Sequence, residues 1–381
     1  MKSELLACIL VWASTALAAQ TTSDVVLTTT DSLTAADTIP AVDSVAAETT
    51  RRPRKLSLIR RIIRGFDRLD ERYIEPQHYV FTLMVQATQN IDVYTMGSSD
   101  DERQTITFTA NDNLKVGPYI GWKWFFAGYT FDVKSFGFSK KRHGLDLSVY
   151  SSQIGADLFF RRTGSDYKLS NAYFGDGVDT GSIEGVDFDG LKSVMTGLNL
   201  YYIFNHGRFS YPAAFAQSTC QKVSCGSWLA GFGYTHNTLE FDYEELQRVV
   251  DDRLTQHTVQ LDSGLMFHSV SYADYNISAG YAYNWVFAPR WLFCASAQAA
   301  LAYKKTFSEM AGGSRGFSFS NVNVNAIGRF ALVYNNTKWY AGFSSVVRMN
   351  NYRKQHFYSR NVFGSLNLYV GFNFGLKKQY R

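Results

Sequence analysis

Six polar residues set into an alternating apolar pattern are the ones whose types and spacing could do chemistry: Asp146, Asp157, Arg161, Asp262, Gln298 and Arg329. Charges of opposite sign sharing a face can stiffen an interior as ion pairs, line a path for ions, or act as acid and base. Nucleophilic hydrolysis asks for a Ser beside a His whose ring a third group orients. His236, His268, Ser224, Ser227 and Ser263 are of the right types, but their spacing marks no triad, and with 7 His and many Ser such coincidences are expected. No His/Cys/carboxylate set has metal-ligand spacing, so no catalytic residue, metal or cofactor is expected. Gly175, Gly177, Gly181 and Gly185 lie in an acidic stretch, 164–191, with Asp166, Asp176, Asp179, Glu184, Asp187 and Asp189. That charge is the wrong sign for a phosphate cradle. The stretch reads as a solvated surface loop, with divalent-cation binding through oxygen ligands as the alternative.

The elements that must position these residues have a period of two from Tyr79 onward. In Leu366, Leu368, Val370, Phe372, Phe374 and Leu376 every second residue is apolar, while Asn367, Gly371, Asn373 and Gly375 fill gaps between them. The same alternation runs through Tyr275–Phe287, Trp291–Tyr303 and Val259–Phe267. A soluble sandwich alternates too, but these runs reach roughly 10 to 15 residues, enough to cross a bilayer at a tilt. Aromatics gather at run ends, as in Trp285, Phe287, Trp291 and Trp339, where interfacial girdles form. Arg or Lys facing lipid at mid-depth costs roughly 2–4 kcal/mol, so the six polar residues belong on the face turned to the lumen.

Connections give an independent indication, because membrane barrels alternate tight turns with longer loops. Tight turns are expected at 122–123, 151–152, 205–207, 288–290 and 335–337, and longer loops near 93–102, 135–142, 164–191, 217–223, 306–318 and 350–359. A short outer connection at 270–272 and a periplasmic helical insert at 242–256 complete the pattern. The expected fold is all-β: a transmembrane antiparallel up-and-down barrel over residues 79–376, with about 14 strands (12–16) and a polar tail at 377–381.

Ahead of the barrel, residues 1–19 run from Lys2 through the apolar Leu5–Trp12 to Ala16-Leu17-Ala18, the pattern of a cleaved signal peptide. Residues 20–50, rich in Thr, Ser, Ala and Asp, read as a disordered tether. Within 51–78, Leu56, Ile59, Ile62, Ile63, Phe66 and Leu69 recur at helical spacing between Arg60, Arg61, Arg64 and Arg68. This is a basic amphipathic helix, packed on the barrel's end or binding anionic headgroups or a partner. A formal net charge of +5 over 381 residues excludes nothing by itself and does not suggest nucleic acid. Export to a bacterial outer membrane with both termini periplasmic follows. Cys220 and Cys225 either pair or stay as thiols.

Several strings together carry a family resemblance: Arg72–Tyr79, Gly117–Trp124, Tyr150–Arg162, Tyr211–Ser218 and Gln221–Ser227. On these the chain resembles the bacteroidete outer-membrane proteins catalogued as domain of unknown function 4421, from about Arg72 to Leu376. The resemblance implies an envelope barrel with no assigned reaction and no catalytic residues to carry over. Its motif residues read as turn formers and polar groups: Tyr211, Pro212, Gln217, Gln221, Lys222 and Ser224 form the segment to single out, with Pro212 expected at a kink in a strand. The expected role is a structural or small-solute pore barrel and not an enzyme. A membrane-embedded hydrolase or acyltransferase, and a scaffold using the basic helix, are the alternatives. Expected partners are outer-membrane lipids including lipopolysaccharide, the barrel-assembly machinery, and a periplasmic partner for the helix at 55–70.

Overall fold

The computed structural model describes residues 69–98, 104–110, 114–122, 125–128, 131–133, 143–163, 167–254, 259–306, 322–354 and 357–381. All belong to one compact unit, Leu56–Arg381. The expected signal, tether and most of the basic helix lie outside these residues.

Strands follow the alternation. β1 (Ile74–Pro76), β2 (Tyr79–Ser98), β3 (Thr105–Ala110), β4 (Lys115–Trp122), β5 (Phe125–Gly128), β6 (Phe131–Asp132), β7 (His143–Tyr150) and β8 (Ile154–Thr163) come first. β9 (Tyr167–Tyr173), β10 (Asp187–Phe188) and β11 (Leu191–Ile203) lead to a short helix, α1 (Tyr211–Phe215). After β12 (Thr219–Gln221) and β13 (Cys225–Phe241), a second helix, α2 (Tyr243–Arg253), precedes β14 (Ser269–Ala288), β15 (Trp291–Thr306), β16 (Val322–Asn335), β17 (Trp339–Lys354) and β18 (Phe357–Leu376).

Among the described residues sixteen of these segments form one antiparallel sheet, ordered β10-β9-β3-β2-β18-β17-β16-β15-β14-β13-β11-β8-β7, with β4 to β6 attached beside β2. From β13 to β18 each strand pairs with the next in sequence, the up-and-down pattern. β3 and β4 pair with successive lengths of β2 and are two pieces of one wall position. No ladder joins the two ends of the order among the described residues. Next to those ends, β8 and β9 follow one another in the chain, and Tyr167 Oη donates to Thr163 Oγ1 at 2.9 Å. Leu376 pairs with Tyr79, so the first and last long strands leave the wall at the same end.

The two faces of the wall are inverted relative to a soluble protein. On β14 the outward positions hold Ile277, Tyr281, Tyr283, Trp285 and Phe287, all exposed, while the inward ones hold the buried Asp274, Asn276, Ser278 and Asn284. Ile277 is 65% exposed and Leu368 63%. Apolar surface costs about 25 cal/mol per Å² when left in water, so a continuous greasy exterior is stable only against hydrocarbon. This is a transmembrane β-barrel with a polar interior. No helix among the described residues is long and apolar enough to cross a membrane.

Two expected strands are not there. Residues 208–216 do not cross the membrane: Ser210 caps α1, its Oγ accepting from Ala213 N at 3.2 Å, and Pro212 occupies the first turn, where a missing N–H costs nothing. Ser-x-Pro is thus a helix start, not a strand kink, and 204–224 is one insert at the short-turn end. Residues 259–267 do not form a strand either. Val259, Leu261, Leu265 and Phe267 are buried around a 3-10 turn, Ser263–Leu265, in an apolar cap with α2. The expected connection at 270–272 therefore falls inside β14, and α2 lies at the end opposite the short turns instead of the periplasmic end. Each error reversed the sidedness of the chain once, so together they left the later strands correctly oriented.

At the loop end that cap packs Phe108, Phe188, Phe241, Phe267 and Phe357 with Leu246 and Val250 of α2. At the short-turn end a smaller cluster surrounds Tyr211 of α1 and Phe209.

Candidate functional site

Between the two caps the barrel is crossed by side chains. Asp157 projects from β8, Arg329 from β16 and Arg348 from β17. Arg329 Nη2 donates to Asp157 Oδ2 at 2.6 Å, Arg348 Nη2 lies 3.0 Å from the same oxygen, and Ser148 Oγ donates to Oδ1 at 2.8 Å. β8 and β16 are five steps apart in the sheet, which at ~4.8 Å per step is roughly 24 Å along the wall. Their direct contact means the wall curls round and its opposite sides meet.

Aromatic rings extend this contact in both directions. The Arg348 guanidinium lies 5.1 Å over Phe159, Phe159 packs on Phe363 at 5.4 Å, and Arg161 lies 5.1 Å over Phe363. Arg161 also donates to the backbone carbonyls of Ile91 and Gly364. On the other side Arg329 lies 4.7 Å over Tyr201, whose ring meets Tyr211 of α1 at 5.8 Å. Cation–π contacts of this kind, removed from water, each contribute about 2 kcal/mol. The chain Arg161, Phe363, Phe159, Arg348, Asp157, Arg329, Tyr201 and Tyr211 thus spans from β2 and β18 to the insert.

A second interior pair lies nearer the loop end. Lys304 Nζ is 2.7 Å from Asp274 Oδ2, both side chains are 1% exposed, and Asn276 and Asn325 donate to the same carboxylate.

The insert is held by polar groups of the singled-out segment. Gln221 Oε1 accepts from Ser210 N at 3.0 Å and Asn284 Nδ2 at 3.1 Å, and its Nε2 donates toward the carbonyls of Arg208 and Val223. Gln217, at φ 50°, donates to Tyr369 Oη at 2.7 Å. Lys222 Nζ donates to Glu71 O, and Ser224 Oγ accepts from Val286 N. β12 pairs with β1, Ile74 opposite Gln221. Cys220 and Cys225 are free thiols, and burial pushes that of Cys220 up to about 12. Outside the wall, the hydrogen bond from Arg72 holds Asp70 below the usual carboxylate range. Between insert and wall, Gln77, Thr82, Gln217, Ser218, Tyr340 and Asn373 line a small hollow of ≈ 20 Å³.

Of the six polar residues chosen from sequence, Asp157, Arg161, Gln298 and Arg329 face the interior, the first and last in direct contact. Asp146 is placed on β7 opposite Phe159 in the ladder. Asp262 is a correction: it is on no strand, precedes the 3-10 turn, and its N–H donates to Gln104 Oε1 at 2.9 Å. Sequence reasoning missed Arg348, Lys304 and Asp274. Lys304 sits at a polar step of the β15 alternation, a visible signal, whereas Asp274 was hidden by the misplaced connection at 270–272.

Neither Ser224 nor Ser227, two of the residues weighed for hydrolysis, bonds to a His. Ser227 Oγ accepts from Asn205 N, and Ser224 is bonded to the wall. The contact that does form is Ser271 Oγ to His236 Nε2 at 3.5 Å, on the outward face, with Ser271 closer to Thr238 Oγ1 at 3.1 Å. Among the described residues no group of three His, Cys, Asp or Glu could hold a metal.

The family described as domain of unknown function (DUF4421) matches residues 68–374. No curated protein matches the sequence. Among solved structures, the outer membrane protease OmpT from Escherichia coli aligns over 77% of this chain and 97% of its own, at 8% identity and a TM-score of 0.32. A bacterial polysaccharide outer membrane secretin aligns over 78% and 99% at 9% identity and TM-score 0.31. The toluene transporter TodX of P. putida aligns over 78% and 91% at 9% identity and TM-score 0.26.

Proposed function

The chain belongs to this family of unknown function, and from that premise we propose that it is an outer-membrane barrel closed along its axis, structural in the envelope and not enzymatic. The observation that carries the reading is Arg329, 0% exposed at the centre of the barrel and bonded to Asp157 on the opposite side of the wall. A diffusion pore keeps water beside its charged lining; here the lining charges are spent on each other. The apolar cap at the loop end and the insert at the short-turn end support the same reading, since each covers one mouth. Export follows from the signal-like first 19 residues. If the short turns face the periplasm, as in outer-membrane barrels, both ends of the wall do too. Its partners are then outer-membrane lipids including lipopolysaccharide along the greasy exterior, and the assembly machinery during insertion.

The experiment is single-channel recording of the refolded protein in planar bilayers, after heat-modifiable migration on a denaturing gel has confirmed a folded barrel. A folded barrel without ohmic steps is the expected result. Stable steps whose ion preference changes in Asp157→Asn would overturn the closed reading and restore the small-solute pore. The Ser271–His236 contact is read as part of the wall, and an alkyl fluorophosphonate probe that labels Ser271 would reverse that.

A further inference from the structure

Asp274, Lys304 and Asn325 come from three successive strands of the wall, β14, β15 and β16, and meet at one oxygen atom. Lys304 Nζ lies 2.7 Å from Asp274 Oδ2, and Asn325 Nδ2 donates to the same oxygen at 2.8 Å. The rest of the Asn325 amide is held as well. Its Oδ1 accepts from the backbone N–H of Asn351 on β17 at 3.1 Å, and Asn351 Nδ2 donates to Val324 O at 2.6 Å, which keeps that N–H beside β16. Asn276 Nδ2 donates to Asp274 Oδ1 at 3.0 Å and fixes the other oxygen of the carboxylate. The Asp274 and Lys304 side chains are 1% exposed and Asn325 is 4% exposed. The Tyr272 ring, stacked on Tyr352, covers Nζ at 4.9 Å.

An ion pair needs only the first of these contacts. Together they place an amine, an acid and an amide side by side, the parts that acyl transfer requires. Away from water both charges of the Lys304–Asp274 pair are costly, and passing one proton from Nζ to the carboxylate removes both. A desolvated lysine amine is a nucleophile. The Asn351 N–H points at the amide oxygen, where negative charge develops on attack, and Asp274 faces the nitrogen that must leave. We propose that Lys304 and Asn325 join in an isopeptide bond once the barrel has folded, with Asp274 as the proton carrier. Nζ attacks Cγ of Asn325 and the Nζ–Cγ bond forms. A proton from Nζ passes by way of the Asp274 carboxyl to Nδ2, the Cγ–Nδ2 bond breaks, and ammonia leaves. The proton that Lys304 first gave up stays on Asp274, so charge balances, and no oxidant or second substrate is consumed. The bond closes the chain between β15 and β16 into a ring and restricts the unfolded state as a disulfide does. It stands whether or not the barrel conducts.

The test is the intact mass of the full chain before and after refolding in detergent micelles, both read under denaturing conditions. The refolded chain is expected to be lighter by one ammonia, and its protease digest to contain a branched species that joins the Lys304 peptide to the Asn325 peptide. Lys304→Arg keeps a cation beside Asp274 but has no primary amine, and is expected to keep its full mass after refolding. Asp274→Asn, which removes the proton carrier, is expected to do the same. The wild-type measurement decides even where a variant does not fold: an unchanged mass after refolding overturns the proposal. A lighter chain without the branched species also overturns it, ammonia then having been lost within a single asparagine as a succinimide. Loss of one water in place of ammonia would put the bond on Asp274 and sink the assignment to Asn325.

Discussion

Arg161 and Arg348, two like charges in the barrel interior, each lie over one ring of the Phe159–Phe363 pair, both at 5.1 Å. The rings answer the charges with their negative faces and keep the guanidinium groups apart. Replacing Phe159 by Leu keeps volume and apolarity but removes that face. Phe159→Leu is expected to destabilise the barrel by about 2 kcal/mol, combining the lost cation–π contact with imperfect packing. Denaturant unfolding in micelles measures it, and a loss no larger than that of a lipid-facing Phe→Leu control, such as Phe330→Leu, would show that the stack contributes nothing.

Asp157 serves two arginines, so the members of the cluster are not equivalent. Asp157→Asn leaves both guanidinium groups buried without their counter-charge, whereas Arg348→Gln leaves the Arg329–Asp157 pair intact. Breaking a buried pair costs about 3–5 kcal/mol. The expected order of stability is wild type, then Arg348→Gln, then Asp157→Asn. The same unfolding measurement ranks them, and an Asp157→Asn variant as stable as Arg348→Gln would contradict the sharing.

Much of this wall was legible because the alternation has one cause throughout. Trp291, Phe293 and Leu301 against Cys294, Ser296 and Gln298 fall on two faces by alternation alone, and β15 has that division. What failed was the reading of apolar residues two apart where no ladder exists. Leu261, Leu265 and Phe267 alternate because a cap buries them from one side, and periodicity alone does not distinguish a cap from a sheet. Pro212 failed for a different reason, the helix-start chemistry of Ser210-Tyr211-Pro212 going unrecognised. Interior pairing was out of reach in principle. Nothing in sequence spacing tells that Asp157 meets Arg329, 172 residues on, since that depends on how the wall curls.

Cys220 sits in the insert, buried, with its thiol pushed up to about 12. The thiolate is the reactive form, so raising the pKa lowers reactivity at any working pH. At pH 8 a maleimide is expected to leave Cys220 unmodified in the folded barrel and to label it after boiling. Mass spectrometry of the tryptic peptides reads both states. Rapid labelling of Cys220 in the folded protein would mean that the insert leaves its place on the measurement timescale.

Thr337, in the turn between β16 and β17, has φ 73°, a left-handed conformation that a β-branched residue avoids. It is held there by its neighbours: its N–H donates to Asn335 Oδ1 at 2.8 Å and its carbonyl accepts from Asn373 Nδ2 at 2.7 Å. Both bonds use the backbone, so glycine preserves them and relieves the strain. A non-glycine residue in this region costs about 1–3 kcal/mol, while glycine's extra freedom in the unfolded chain costs about 0.5–1 kcal/mol. Thr337→Gly is therefore expected to stabilise the barrel by about 1 kcal/mol, seen as a higher denaturant midpoint with unchanged slope. Asn335→Ala removes the side-chain acceptor and is expected to move the midpoint the other way. A Thr337→Gly variant less stable than the wild type would mean that the threonine side chain, 7% exposed, contributes more through packing than its backbone loses in strain.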